Sequence, residues 1–201
     1  MYSQTSISPF AFFIFLRFKY IYAMETELIA QLSTQNTSKV ALSQIKIGVQ
    51  TEKFALPDLM TLATDLNNKI HPKALRIVEL IAEENVLFLS DYVPQIITIA
   101  PKYQHVSAVR GMSRILLFII SAPKIHLTDL QEKAIVETAL DWFISDEKVA
   151  TKVNALKIMT HFSGKFPWLK ETLIELIEKE YPHQLPSYQI ASRAAIVKFK
   201  R

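Results

Sequence analysis

Apolar residues recur along this chain three or four positions apart, and they do so in paired blocks. In Val149–Met159 the residues Val149, Val153, Leu156 and Met159 share one helical face, with Lys148, Lys152 and Lys157 between them. His71–Ala82 repeats the pattern with Leu75, Val78 and Ile81, and His105–Phe118 with Val109, Met112 and Ile115. Pro186–Phe199 gives Ile190, Arg193 and Ile196, and Ser38–Val49 supplies a fifth block anchored at Val40. The anchors Val40, Leu75, Val109, Val153 and Ile190 lie 34 to 44 residues apart, a spacing typical of helical-hairpin repeats. A second set of helical stretches precedes the first: Glu25–Ser33, Leu56–Leu66, Asp91–Pro101, Thr128–Ser145 and Pro167–Tyr181. The pattern therefore predicts an all-α chain of about five helical hairpins.

Local punctuation agrees with this division. Pro57, Pro167 and Pro186 suit the first turns of helices, where a missing N–H costs nothing. Asp91 and Thr128 suit N-caps, and Thr128 with Gln131 has capping-box spacing. Pro123 can close the long helix before it. Gln44–Gln50 and Ile96–Ala100 would suit strands in isolation, but each stands in register with the repeat and is read as helix.

The arrangement resembles HEAT repeats, an armadillo-type helical family. In that family a first helix turns into a second that opens on an apolar-Arg pair followed by a small residue. Lys102–Leu116 and Ser145–Met159 come closest; Leu75-Arg76 and Val109-Arg110 match the pair, whereas Val153-Asn154 and Ile190-Ala191 do not. The resemblance covers residues 25–201. It implies a right-handed α-α superhelix, a solenoid, with the second helices lining the concave side.

Composition narrows the chemistry. Three glycines in 201 residues disfavour a turn-rich β protein, and the absence of cysteine removes disulfides, thiolate metal sites and a cysteine nucleophile. A cytoplasmic setting is the default expectation. Pro9–Met24 is apolar and aromatic, interrupted by Arg17 and Lys19, and is shorter than the roughly 20 residues a membrane helix needs. Residues 1–23 are accordingly read as an upstream mis-called start, with a membrane anchor or a docked extra helix as the alternatives, and residues 24–201 as the repeat domain. No phosphate-binding glycine loop and no nucleophile elbow is present, and the five histidines contain no His-x-x-x-His pair. No catalytic, cofactor or metal residue is assigned. Trp142 and Trp168 are expected in packing, and the glutamates of the first helices on solvated faces.

Charge is sorted between the two helix sets. The second helices with their ends carry fourteen cations against Glu52, Glu79, Glu83, Glu84 and Glu147, and the first helices from Leu56 onward are predominantly acidic. A net charge of +4 hides this division. Helix dipoles and the need for a solvated surface are one account of the sorting. The other is a basic concave groove with Arg76, Arg110, Arg114, Lys152, Lys157 and Arg193 as candidate partner-binding residues, Arg76, Arg110 and Arg114 forming one patch unless Arg76 and Arg110 bridge to acids in adjacent turns, and Arg114 the freest of the three. The function expected is a non-enzymatic interaction scaffold for an acidic protein partner. A nucleic-acid-binding protein is the first alternative, and a small HEAT-like enzyme such as a DNA glycosylase the second. The sequence sets no oligomeric state.

Overall fold

The protein was analysed as a computed structural model, which describes residues 26–34, 38–180 and 185–199. The apolar segment before Met24 lies outside the described residues. The described residues contain helices and connecting turns and no strand. In chain order the helices are α1 (residues 26–34), α2 (Lys39–Gln50), α3 (Leu56–Thr64), α4 (His71–Asn85), α5 (Val93–Ile99), α6 (Val106–Ser121), α7 (Asp129–Ile144), α8 (Val149–Phe162), α9 (Trp168–Glu180) and α10 (Pro186–Phe199). Tight 3-10 turns at Val86–Tyr92 and Ala100–Lys102 flank α5. The described residues up to Ile77 belong to one compact unit, and those from Val78 onward to a second.

Helix starts follow the sequence signals in most places. Thr128 accepts from the Gln131 backbone N–H while the Gln131 side chain accepts from the Thr128 N–H, a complete capping box. Asp129 and Glu132 in the same first turn suit the positive end of the helix dipole. Pro57 occupies the first turn of α3 and Pro186 opens α10. Pro167 stands one residue before α9. Asp91 does not cap α5: it lies inside the 3-10 turn Val86–Tyr92, which Asn85 caps through the Leu87 N–H. Gln44–Gln50 closes α2, and the β-branched run around Ile96 forms α5, so both strand-like stretches are helical.

In the first unit, α2 buries Leu42, Ile45 and Val49. Val40 is 80% exposed, because it stands two residues before Leu42 and so about 200° away around the helix. The helix ends with Glu52 in the left-handed region at φ 59°, and the chain folds back so that the Phe54 N–H donates to the Gly48 carbonyl. A Cβ at Gly48 would lie 2.6 Å from the buried Phe54 ring. Lys73 Nζ donates to the Leu32 carbonyl at 3.0 Å, tying α4 to the end of α1.

In the second unit, α8 is the most heavily packed helix, set against α6, α7 and α10. Leu156 and Met159 are buried as their spacing predicts, and Val153 is half-buried. On α6, Val109, Met112 and Ile115 are all buried. On α10 the core face is Tyr188, Ser192 and Ala195, with Tyr188 stacked on Phe143 of α7 at 5.9 Å between ring centroids. Ile190 is 61% exposed, displaced about 200° from Tyr188 as Val40 is from Leu42. Trp142 is buried, but Trp168 at the start of α9 is half exposed and packs less than its size suggests.

Side-chain hydrogen bonds in this unit repeatedly join residues 35 to 41 positions apart in sequence. Arg114 reaches Glu79 across 35 positions, Asn154 reaches Ser113 across 41, and Lys165 reaches Asp129 across 36. Lys198 Nζ donates to the Thr160 carbonyl across 38.

Two stability differences follow from this packing. Leu156→Ala empties a site in the middle of α8 and should cost about 2–5 kcal/mol in denaturant titration, whereas Lys157→Ala, on the exposed side of the next position, should stay within about 0.5 kcal/mol. Gly48→Ala gains about 1 kcal/mol of helix propensity but pushes the Phe54 ring, an overpacking cost of about 1–3 kcal/mol. A net fall in melting temperature is the expected result.

Candidate partner-binding face

The candidate face is built by α6, α8 and α10, three helices in contact through α8. None of the three carries an aspartate or glutamate. Their outward positions form two hollows. The first, of about 410 Å³, has an apolar floor of Leu117, Ile120, Leu156 and Ala195. Lys157, His161 and Lys198 stand at its rim and are exposed. The second hollow, of about 450 Å³, is walled by Arg110 and Arg114 of α6 and by Val149, Val153 and Asn154 of α8. Leu185 and Ser187 close it from the α10 side.

Electrostatics differ between the hollows. At the second, Arg114 Nη1 lies 2.5 Å from Glu79 Oε1, and Arg114 Nη2 lies 3.1 Å from Glu83. Glu79 is fully buried, so its charge requires a partner. The Arg114 guanidinium also lies over the Phe118 ring at 5.4 Å. Arg110 approaches Glu79 only to 4.0 Å and keeps 39% of its side chain exposed. Beneath it, Asn154 Nδ2 donates to Ser113 Oγ at 2.9 Å, and Ser113 Oγ donates to the Arg110 carbonyl at 2.8 Å. At the first hollow, burial and the neighbouring Lys198 charge push the His161 imidazole below its usual range, opposed by Glu132. Glu132 and Asp129 both hold Lys165, whose ammonium rises above its ordinary value while the Asp129 carboxyl falls below its own.

The six candidate residues fall into distinct places. Arg110 and Arg114 come together on Glu79. Lys157 is exposed at the rim of the first hollow. Lys152 is 8% exposed and lines neither hollow, because it stands three and four positions before buried Ala155 and Leu156 on the same side of α8. Arg193 is exposed on α10 and lines neither hollow, being about 100° from Ala194. Arg76 is half-buried on α4 in the first unit. Arg114, expected to be the freest arginine, is instead the main counter-charge of a buried carboxylate. Two further residues of the face, His161 and Lys198, were not among the six candidates, although Lys198 is one of the fourteen cations of the second helices. Their signal was present as their spacing from Lys157 and Ala194, one helical turn in each case.

Among the described residues there is no group of histidine and acidic side chains that could hold a metal ion, and no helix long and apolar enough to cross a membrane. No family model matches the chain, and no curated protein or solved structure matches it at a significant level.

Removing Arg114 takes the nearest cation away from the buried Glu79 carboxylate and leaves Arg110 only at 4.0 Å. Arg114→Met should therefore cost about 3 kcal/mol, and the double variant Arg114→Met with Glu79→Gln should recover a substantial part of it, since the uncompensated charge is gone. Urea titration of the two variants against the parent chain measures both.

Proposed function

We propose that the chain is a non-enzymatic interaction scaffold of HEAT-like repeats whose α6–α8–α10 face receives an acidic segment of a protein partner. The observation that carries this reading is the absence of any acid from three neighbouring helices that expose Lys157, His161 and Lys198 around an apolar floor. Such a face offers net positive potential around Lys157 and Lys198 to an approaching acidic surface. The solenoid part of the reading draws support from hydrogen bonds that link residues 31 to 41 positions apart, as stacking of successive hairpins requires. In that arrangement α6, α8 and α10 would line the concave side and the acid-rich α7 and α9 the convex side.

The nucleic-acid alternative is weaker on the same observations. A single-strand groove combines a track of cations with aromatic platforms, and the hollows are floored by Leu, Ile, Val and Ala. A glycosylase-type site needs a carboxylate in the groove, and α6, α8 and α10 carry none.

The test compares the full chain with a Lys157→Glu, Lys198→Glu double variant. The probes are a fluorescent peptide of mixed Glu and Leu and a single-stranded DNA oligonucleotide. The parent chain should bind the peptide, lose about tenfold of that affinity between about 50 and 200 mM salt, and lose a similar factor on charge reversal. Oligonucleotide binding tighter than peptide binding would move the reading to nucleic acid. Equal peptide binding by parent and variant would remove it.

A further inference from the structure

The two hollows are not independent features of the surface. On α8 the second is lined by Val149, Ala150, Val153 and Asn154, and the first by Leu156, Lys157, Thr160 and His161. Each residue of one set stands seven positions before its counterpart in the other. The flanking helices obey the same shift: Arg110 and Arg114 of α6 become Leu117 and Ser121, and Ser187 of α10 becomes Ala194. One seam therefore runs along three helices and repeats after two turns, about 10 Å at about 1.5 Å per residue.

That repeat specifies an occupant. A chain laid along the seam meets an equivalent hollow every two turns if it is itself a helix, so its apolar anchors fall about seven residues apart on one face. Charge specifies the rest. Lys157 and Lys198 rim one hollow, and Arg110, with only a 4.0 Å approach to Glu79, stands at the other. The hollows stay open because the residues facing them are small: Ala150 on α8 and Ser187, Ala191 and Ala194 on α10.

The geometry points to an amphipathic acidic helix of a protein partner as the ligand of this face, seated lengthwise along α8 with two apolar anchors seven residues apart and carboxylates directed at Arg110, Lys157 and Lys198. This rests on the acidic-partner reading above and adds the conformation and spacing of the bound segment. A phosphodiester strand would satisfy the cations and leave both apolar floors uncovered, whereas an amphipathic helix fills them.

The experiment uses the full chain and fluorescent peptides of about 20 residues, long enough to cross both hollows. One acidic helical peptide carries Leu at two positions seven apart. A second, of the same composition, carries them five apart, on opposite faces. A third has Ser in place of Leu, and a fourth has Gln in place of its acids. The chain is also tested as Ala150→Trp and as Ala194→Trp, each plugging one hollow at an exposed position, with circular dichroism confirming helix content. The seven-spaced peptide should bind about tenfold more tightly than the five-spaced peptide, as expected for seating one further apolar side chain, and more tightly still than the Ser peptide, which seats none. Each Trp variant should remove the advantage over the five-spaced peptide and leave the weak binding of the Ser peptide unchanged. If the three acidic peptides bind equally and above the Gln peptide, the seam is overturned and the acidic-partner reading stands. If no acidic peptide exceeds the Gln peptide, that reading falls with it. An oligonucleotide that outcompetes the seven-spaced peptide overturns both.

Discussion

α8 has to be covered on three sides, and the second unit is arranged around that requirement. Its buried residues, among them Thr151, Ala155, Leu156, Ile158, Met159 and Phe162, occupy most of the helix circumference. An amphipathic pair such as α7–α8 can cover only one of these surfaces. The others need α6 on one side and α10 on the other, and both are in place. What is left is a narrow strip of Ala150, Lys157 and His161, edged by half-buried Val153 and Asn154. Acids are absent from that strip because the helix has none, and the packing that buries the rest of α8 leaves the strip facing outward between its two neighbours. Core formation and surface chemistry are in this sense one constraint.

The buried Glu79 is a second, local requirement. Desolvating an isolated carboxylate costs several kcal/mol, so the position is tenable only with a cation held against it. Arg114 meets this with two hydrogen bonds, one to Glu79 and one to Glu83, and its guanidinium keeps a further contact with the Phe118 ring. The arrangement links α4 to α6 within the second unit by charge as well as by apolar contact. It also lowers the positive potential of the face at that end. The unopposed charge is consequently weighted toward Lys157 and Lys198, about two turns further along the seam.

Helix content and helix limits were legible because they depend on local chemistry. The Thr128–Gln131 capping box and the prolines at α3 and α10 act within one turn, and the anchors Leu75 and Val109 sit in strongly periodic runs that end fully buried. Val40 and Ile190 show the limit of that logic. Both are apolar at a plausible repeat spacing, yet the buried face of each helix is set by residues two positions away, Leu42 and Tyr188, and only the packing of neighbours decides between the two phases. Asp91 failed as a cap for a different reason: Asn85 starts a 3-10 turn upstream and the chain enters α5 without a side-chain cap. The role of Arg114 was written in the sequence as two matched spacings, Glu79 with Glu83 and Arg110 with Arg114, each four apart and the pairs about one repeat apart. Reading the cations alone hides it, because a charge count on one helix says nothing of the acids opposite. Lys152 was unreadable as a surface residue for a related reason, since a lysine between buried Thr151 and Ala155 is carried inward by the turn it shares with them.

Side-chain size decides whether a strip between two packed helices becomes a seam or is closed. Helices about 8–10 Å apart interlock when large residues fill the space between them. Along α10 the residues toward α8 include Ser187, Ala191, Ala194 and Ala195, each too short to reach across, while Lys198 at the end of the hollow bridges to the Thr160 carbonyl. Leucines there would fill the gap and add to the core, and the chain uses leucine freely elsewhere, so apolar residues are not in short supply. The cost of leaving them out is apolar surface on Leu117, Ile120 and Val153 that stays partly in contact with water. On α7 and α9 the outward charge is acidic and solvated, with Glu137 and Glu175 exposed, while the lysine nearest α7, Lys165, is held by Asp129 and Glu132. Lys133 is likewise paired, with Glu137. Lys157, on the open side, has only small and apolar neighbours in its hollow apart from His161, Thr160, Ser121 and Lys198, none of them acidic. A seam kept open by alanine and rimmed by Lys157 and Lys198 leaves apolar surface and positive charge side by side on one face, which is the combination the proposed amphipathic acidic helix would match.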